Sequence, residues 1–216
     1  AVSLSDIAAM GGSPLYALVT LGLQPETAVE DIHALYRGML SACQEYRCQI
    51  VGGDMVQSPV TFITVAMTGV AVGRVLTRQE AEPGDVVAVT GPLGCAAGGL
   101  QFLLQGAEQH GGQGNHLLQA HNRPIPRVQA GQVLVQGGVK AAMDISDGLM
   151  ADLAKMCNSS GVGAIIHADQ VPVDSFLKDT FPRHCLQLAL NGGEDYELLF
   201  TGTEEVVSEV LTRLSP

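Results

Sequence analysis

The 216-residue chain carries 22 acidic against 11 basic side chains, a net charge of −11, and only three of the cations are lysines (Lys140, Lys155, Lys178). That balance speaks against nucleic acid or an anionic membrane surface as a partner, since both call for basic patches. No run nears the ~18 apolar residues of a membrane helix, and a phosphate ligand would have to be held by metal ions, helix ends or a few arginines. Five scattered cysteines (Cys43, Cys48, Cys95, Cys157, Cys185) without C-x-x-C spacing read as reduced thiols of a cytoplasmic protein.

In chain order, Ser5 is placed to cap a short helix over Asp6 to Met10, ended by Gly11-Gly12. Pro14 to Leu23 suits a buried strand. Thr27-x-x-Glu30 has capping-box spacing, and the helix after it sets Val29, Ile32, Leu35, Tyr36, Met39, Leu40 and Cys43 on one face. Cys48 to Val51 predicts a short strand leading into Gly52-Gly53-Asp54, and Val60 to Val72 a long one. Arg74 to Gly84 reads as a connection, with a turn at Glu82-Pro83-Gly84-Asp85. Then come a strand at Val86 to Thr90, a tight turn at Gly91 to Gly94 and a helix from Cys95 to Gln105. Gly106 to Gly114 is glycine-rich and expected to be mobile, and Arg123-Pro124-Ile125-Pro126-Arg127 is rigid and non-helical.

Ala141 to Leu149 organises the rest of the chain: a short apolar run carrying Asp144 breaks at Ser146-Asp147-Gly148, and a helical pattern starts at Leu149 and runs to about Asn158. Two carboxylates thus sit where a strand hands over to a helix, the place open α/β sheets use for ligands, with Asp147 at the positive end of the helix dipole. A strand at Val162 to His167, a loop at Pro172, a strand at Tyr196 to Phe200 and a helix beyond Thr203 complete the chain. Helix and strand alternate, so the class is α/β or α+β. A split near residues 73 to 84 gives two domains, 1–73 and 74–216. The opening at Ala1 and the ending at Leu214-Ser215-Pro216, both inside patterned segments, read as those of a piece of a longer chain.

Asp6, Asp54 and the Glu194-Asp195 pair repeat the pattern of the organising stretch: carboxylates where an element begins or ends, mostly beside glycines that let backbone approach a ligand. Each alone reads equally as a helix start or a turn. Together, in an acidic chain, they suit Mg²⁺ with phosphate oxygens. Other chemistries lack their residues. The glycine run Gly91 to Gly99 has no Walker lysine. Six histidines (His33, His110, His116, His121, His167, His184) show no ligand spacing, no G-x-S-x-G occurs, and Cys95 near a helix start is a weak nucleophile candidate. Arg74 and Arg78, just after a strand, and to a lesser degree Arg123 and Arg127, are candidate phosphate contacts or ordinary loop cations.

Leu4-Ser5-Asp6-Ile7-Ala8-Ala9-Met10-Gly11, Val51-Gly52-Gly53-Asp54, Gly73-Arg74-Val75-Leu76-Thr77-Arg78, Pro83-Gly84-Asp85, Arg123 to Arg127, Met143 to Leu149 and Gly192-Gly193-Glu194-Asp195-Tyr196-Glu197-Leu198 come in one order along the chain. In that order they resemble the thiamine-monophosphate kinase family, in the superfamily of aminoimidazole ribonucleotide synthetase and selenophosphate synthetase. The resemblance implies ATP-dependent phosphorylation of thiamine monophosphate to thiamine diphosphate. It also implies a homodimer whose N-terminal mixed sheets pair, with ATP near that interface, and a C-terminal α/β domain. By motif, Asp6, Asp54, Asp144 and Asp147 would hold Mg²⁺; Tyr36, Gly53, Arg78 and Ser146 would contact ATP; Asp195 would touch the thiamine substrate. Met55 follows Gly-Gly-Asp where the family usually has threonine. The family's N-terminal Gly-Asp-Asp segment would precede Ala1, and its C-terminal aromatic would follow Pro216. The implied chemistry is direct in-line transfer of the γ-phosphoryl, driven by positioning and charge compensation. The alternatives are another ATP-using enzyme of the superfamily, in hydrogenase maturation or the purine pathway, and a non-catalytic nucleotide-binding dimer module.

Overall fold

Two three-stranded sheets organise the chain, which the computed structural model describes over residues 1–105 and 113–214. The glycine-rich stretch up to residue 112, and Ser215 and Pro216, lie outside the described residues. Helix α1 (Val2–Ala9) runs into β1 (Gly12–Leu23), the centre of the first sheet. A parallel neighbour needs a long crossover, and α2 (Val29–Glu45) supplies it before β2 (Gln49–Gln57) pairs parallel to β1; β3 (Phe62–Ala71) pairs antiparallel on the other side. The second sheet is β4 (Val86–Val89), β5 (Ala141–Asp144) and β6 (Leu198–Gly202) in the order β4-β6-β5, with β6 antiparallel to both neighbours.

Central β6 explains its own composition. Leu198, Leu199, Phe200 and Thr201 are all buried because both faces of the strand are covered. Leu198 and Phe200 join a core with Ala8, Leu76, Leu134 and Val210, and Leu199 points into a second core with Met143, Ile145, Leu153 and Met156. Around this sheet stand α3 (Cys95–Leu104), α4 (Gln113–Asn122), α5 (Val128–Gln136), α6 (Leu149–Ser160), α7 (Ser175–Thr180), α8 (Cys185–Asn191) and α9 (Glu204–Leu214), with a 3-10 turn at Ala168–Gln170. The class is mixed α/β, as the alternation predicts. All five cysteines are free thiols, and among the described residues no helix is long and apolar enough to cross a membrane.

Several local expectations fail, each to tertiary context. Ser5 does not cap α1: the helix starts at Val2, and Ser5 is buried inside it. The Thr27–Glu30 box does not form either. Ala28 is the N-cap of α2, without a side-chain hydrogen bond, and of the expected apolar face only Cys43 is buried. Gly52-Gly53-Asp54 lies within β2 rather than at its end. Gly53 has φ 150°, and a Cβ there would stand 1.7 Å from Val19 O, so only glycine lets the ladder continue past this point. Residues 162–167 form no strand, and Ile165 is 84% exposed. Helices α4 and α5, on either side of Arg123 to Arg127, had no clear sequence signal.

Arg123 to Arg127 does stay non-helical, and Arg127 has a structural task. Its Nε donates to Glu197 Oε2 at 2.8 Å, and Thr90 Oγ1 donates to the same oxygen at 2.6 Å. Glu197 is 3% exposed, so its charge depends on these partners. Removing one member of a buried pair costs about 3–5 kcal/mol. With the Arg127 side chain 36% exposed, water moderates this. We expect Arg127→Met to destabilise the chain by about 2–3 kcal/mol in urea unfolding; a loss below about 1 kcal/mol would mean that Thr90 and water suffice.

Candidate functional site

Two sequence motifs fifty residues apart are laced together by backbone. Glu194 N donates to Ser146 O (2.9 Å), Tyr196 N to Ile145 O (3.0 Å), and Ile145 N to Glu197 O (2.8 Å). The β5–β6 ladder continues the pairing from Asp144 opposite Leu198. Glu194 and Tyr196 both hold positive φ, 71° and 52°, a conformation side chains seldom adopt and one that recurs at functional sites. Gly193 passes so close to the other motif that a Cβ would meet Ser146 O at 2.4 Å.

Asp152, fully buried in the first turn of α6, fixes the turn between β5 and α6. Its Oδ2 accepts from both Ser146 N and Asp147 N at 2.9 Å, and its Oδ1 accepts from Lys155 Nζ at 2.7 Å. Lys155 is also paired with Asp147, which is itself exposed. Asp147 and Ser146 are therefore presented on a rigid turn, and Asp147 already has a cation beside it. The sequence signal that could have found Asp152 was its spacing, five and six residues beyond the amides it accepts from.

Asp6 lies near enough to Asp144 for its charge to act on it. Ser5 Oγ donates to Asp144 Oδ2 at 2.8 Å, which brings α1 against the end of β5. Burial pushes the Asp144 carboxyl above its ordinary value, and the charges of Asp6 and Asp152 push the same way, against the Ser5 hydrogen bond. Among the described residues neither Asp6 nor Asp144 has an ion-pair partner, whereas Asp147 and Asp152 share Lys155. A half-buried carboxylate crowded by like charge, with oxygen donors around it, is the donor set of a hard cation such as Mg²⁺.

Asp54 does not join them within one chain. Register sets it opposite Thr20, on the face of Leu18, whereas α1 lies over the face of Ala17 and Met67. Gly53 is its neighbour in β2, and half-buried Tyr36 lies on α2. Arg78 follows Thr77, which bridges to β5 by accepting from Ala142 N (3.0 Å), and its own carbonyl accepts from Ser160 Oγ (2.9 Å). Exposed Arg78 therefore sits beside the start of β5 and the last turn of α6. Arg74 is engaged with Glu80.

Glu194 and Asp195, adjacent in sequence, face different cavities. Ser146, Asp147, Glu194, Gln101, His121 and His184 are among the lining of one, of about 780 Å³. Asp195 and Glu197 line another, of about 760 Å³, with Arg123, Arg127 and Tyr46. Asp195 caps α3: its oxygens accept from Gly94 N (2.7 Å) and Ala96 N (3.2 Å). The carboxylate beside Ser146 and Asp147 is Glu194, which accepts from Tyr196 Oη at 3.2 Å. Burial, and then Glu194, push the Tyr196 phenol up to about 12, so it stays a donor.

Residues 1–75 match AIR synthase related protein, N-terminal domain, and residues 82–213 match AIR synthase related protein, C-terminal domain. The chain belongs to the AIR synthase related family. Within that family its likeness is to thiamine-monophosphate kinases. It is 38% identical over 210 residues to that of Methanopyrus kandleri, covering 95% of this chain and 66% of the relative. It is 37% identical over 207 residues to that of Aquifex aeolicus, covering 94% and 67%. The solved structure AaThiL complexed with AMPPCP and TMP superposes at a TM-score of 0.90 with 35% identity, over 95% of this chain and 67% of that one. The chain thus spans about two thirds of the length of these relatives.

Asp195 supplies a pH signature for this family member. Burial raises its carboxyl from 3.8 to about 6, against the pull of the two amide hydrogen bonds. A folded value above the unfolded one means that the folded chain binds this proton more tightly. The associated stability is full at low pH and is lost as pH rises through about 6. Carbon-13 titration of the Asp195 carboxyl should give a midpoint near 6; an unshifted midpoint would show that the amides outweigh burial.

Proposed function

We propose that this chain carries the nucleotide- and phosphate-handling part of a thiamine-monophosphate kinase, transferring the ATP γ-phosphoryl to thiamine monophosphate. The observation that carries this reading is exposed Asp6 acting on half-buried Asp144, neither with an ion-pair partner among the described residues, beside the rigid Ser146–Asp147 turn. Kinship with thiamine-monophosphate kinases, and with a structure described as holding AMPPCP and TMP, supports the choice of substrates over those of other ATP-using members of the superfamily.

In this reading Asp6 and Asp144 hold Mg²⁺, with Asp147 available once Lys155 turns aside and Asp54 contributed from the sheet. Bound Mg²⁺ would offset the charge of the phosphate oxygens. The protein's own groups do the positioning: Ser5 orients the Asp144 carboxylate, Asp152 holds the two amides of the Ser146 turn, and Gly53, Tyr36 and Arg78 take the nucleotide. The acceptor phosphate is already ionised near neutral pH, so no strong general base is required. For the thiamine substrate we assign Glu194 ahead of Asp195, because Glu194 shares the cavity of Ser146 and Asp147, whereas the Asp195 oxygens are engaged at α3.

A second copy of the chain fits the same reading. The sheet face away from α1 leaves Tyr16 48%, Leu18 50% and Phe62 40% exposed, and apolar side chains exposed together on one sheet face mark an interaction surface. Asp54 stands on this face. Residues 1–73 would be the ATP-binding and dimerisation domain and 74–216 the second domain, in a cytoplasmic enzyme.

Two experiments test these proposals. Asp144→Asn should lower conversion of thiamine monophosphate to the diphosphate by about 10²- to 10³-fold, as loss of one charge-positioning group does; near wild-type turnover across a Mg²⁺ titration would overturn the assignment. Leu18→Glu should convert a dimer to a monomer in light-scattering chromatography and abolish calorimetric binding of a non-hydrolysable ATP analogue. A wild-type monomer that binds the analogue would remove the dimer from the reading.

A further inference from the structure

A second set of donors converges at the start of α3, away from the acid pair. Cys95 opens α3, His116 stands on α4, and Asp174 caps α7. Cys95 Sγ lies 3.9 Å from His116 Nε2, and the same nitrogen lies 3.5 Å from Asp174 Oδ2. All three donor atoms fall within 4.8 Å of one another. Tetrahedral zinc, with bonds of ~2.3 Å to sulfur and ~2.0–2.1 Å to nitrogen or oxygen, sets sulfur and nitrogen ~3.5 Å apart and nitrogen and oxygen ~3.3 Å apart. The sulfur–nitrogen and nitrogen–oxygen separations are within a few tenths of an ångström of that arrangement, and the sulfur–oxygen separation is within 4.8 Å.

A Cys–His–Asp nucleophile does not account for the cluster. In such a relay the two imidazole nitrogens face different partners, whereas here Nε2 faces both. Burial, reinforced by Asp174 and Asp195, pushes the Cys95 thiol up to about 12, the wrong direction for a nucleophile. The surroundings instead hold the donors in place. Asp174 Oδ1 accepts from Phe176 N (2.7 Å) and Leu177 N (3.3 Å), which fixes the carboxylate. The Phe176 ring packs on His116 with centroids 4.7 Å apart. Asp195 lines the same cavity, which leaves room for a water ligand.

We propose that Cys95, His116 and Asp174 form a site for a zinc-class transition-metal ion, with water from the cavity as fourth ligand. Thiolate and imidazole select such an ion over Mg²⁺, so the site is chemically separate from the acid pair and independent of the kinase reading. Binding exchanges the thiol proton for the metal–sulfur bond and releases that proton to solvent. Because the three ligands come from three helices, the ion would staple α3, α4 and α7 together.

The chelator-treated chain, kept in excess Mg²⁺ to saturate carboxylate sites, is titrated with Zn²⁺ by calorimetry and with Co²⁺ by absorption. We expect one ion per chain, a thiolate-to-cobalt charge-transfer band, and a thermal midpoint raised by about 5 °C or more at a hundredfold excess of Zn²⁺ over its Kd. Cys95→Ser should abolish the band, and both it and His116→Gln should weaken Zn²⁺ binding at least about 10-fold. His116 is half-exposed, so its replacement leaves the fold intact, as the metal-free melting curve would verify. Absence of the thiolate band, or Zn²⁺ binding unchanged in both variants, would overturn the site.

Discussion

A carboxylate sealed from water holds this molecule's chemistry in place. Asp152 can be buried with its charge only because two backbone amides and Lys155 surround it. The geometry of Ser146 and Asp147 is therefore tied to the packing of α6. From that turn the constraint passes to Ser146 O and Ile145 O, which receive the amides of Glu194 and Tyr196, and so fix the second motif as well. Glu194 and Tyr196 keep left-handed backbone because these bonds over-determine it.

The acid excess divides into two populations. Glu197 and Asp152 are structural: each is buried and each has a cation, Arg127 or Lys155. Among the described residues Asp6 and Asp144 have no such partner, and the charge of Asp6 still acts on Asp144 in the folded chain. Asp195 belongs with the structural group, since two amides at the start of α3 take the place of a counter-ion.

The residues whose local signals mislead share a cause. Ser5, Thr27 and Glu30 carry correct local capping chemistry, but α1 begins earlier so that Ser5 can reach Asp144, and α2 starts at Val29 without help from either side chain. Val162 to His167 has strand composition but pairs with neither sheet, and Ile165 stands in solvent. Glu194 and Asp195 sit side by side, yet the positive φ at Glu194 turns them toward different cavities. Backbone twist of that kind has no residue-type signature when the residue is not glycine.

The sequence by itself determined the alternation of helix and strand, the apolar strands at the centre of each sheet, and the two motifs that meet, because periodicity and glycine placement are local properties. It also determined the family, since the order of motifs survives without coordinates. Only the tertiary structure decided that the charge of Asp6 acts on Asp144 while Asp54 stays on the opposite face of its sheet. It alone set Glu194 beside the Ser146 turn and gathered Cys95, His116 and Asp174 from three helices. Those outcomes depend on register and helix packing across long sequence separations, where a single-residue slip reverses the face a side chain occupies.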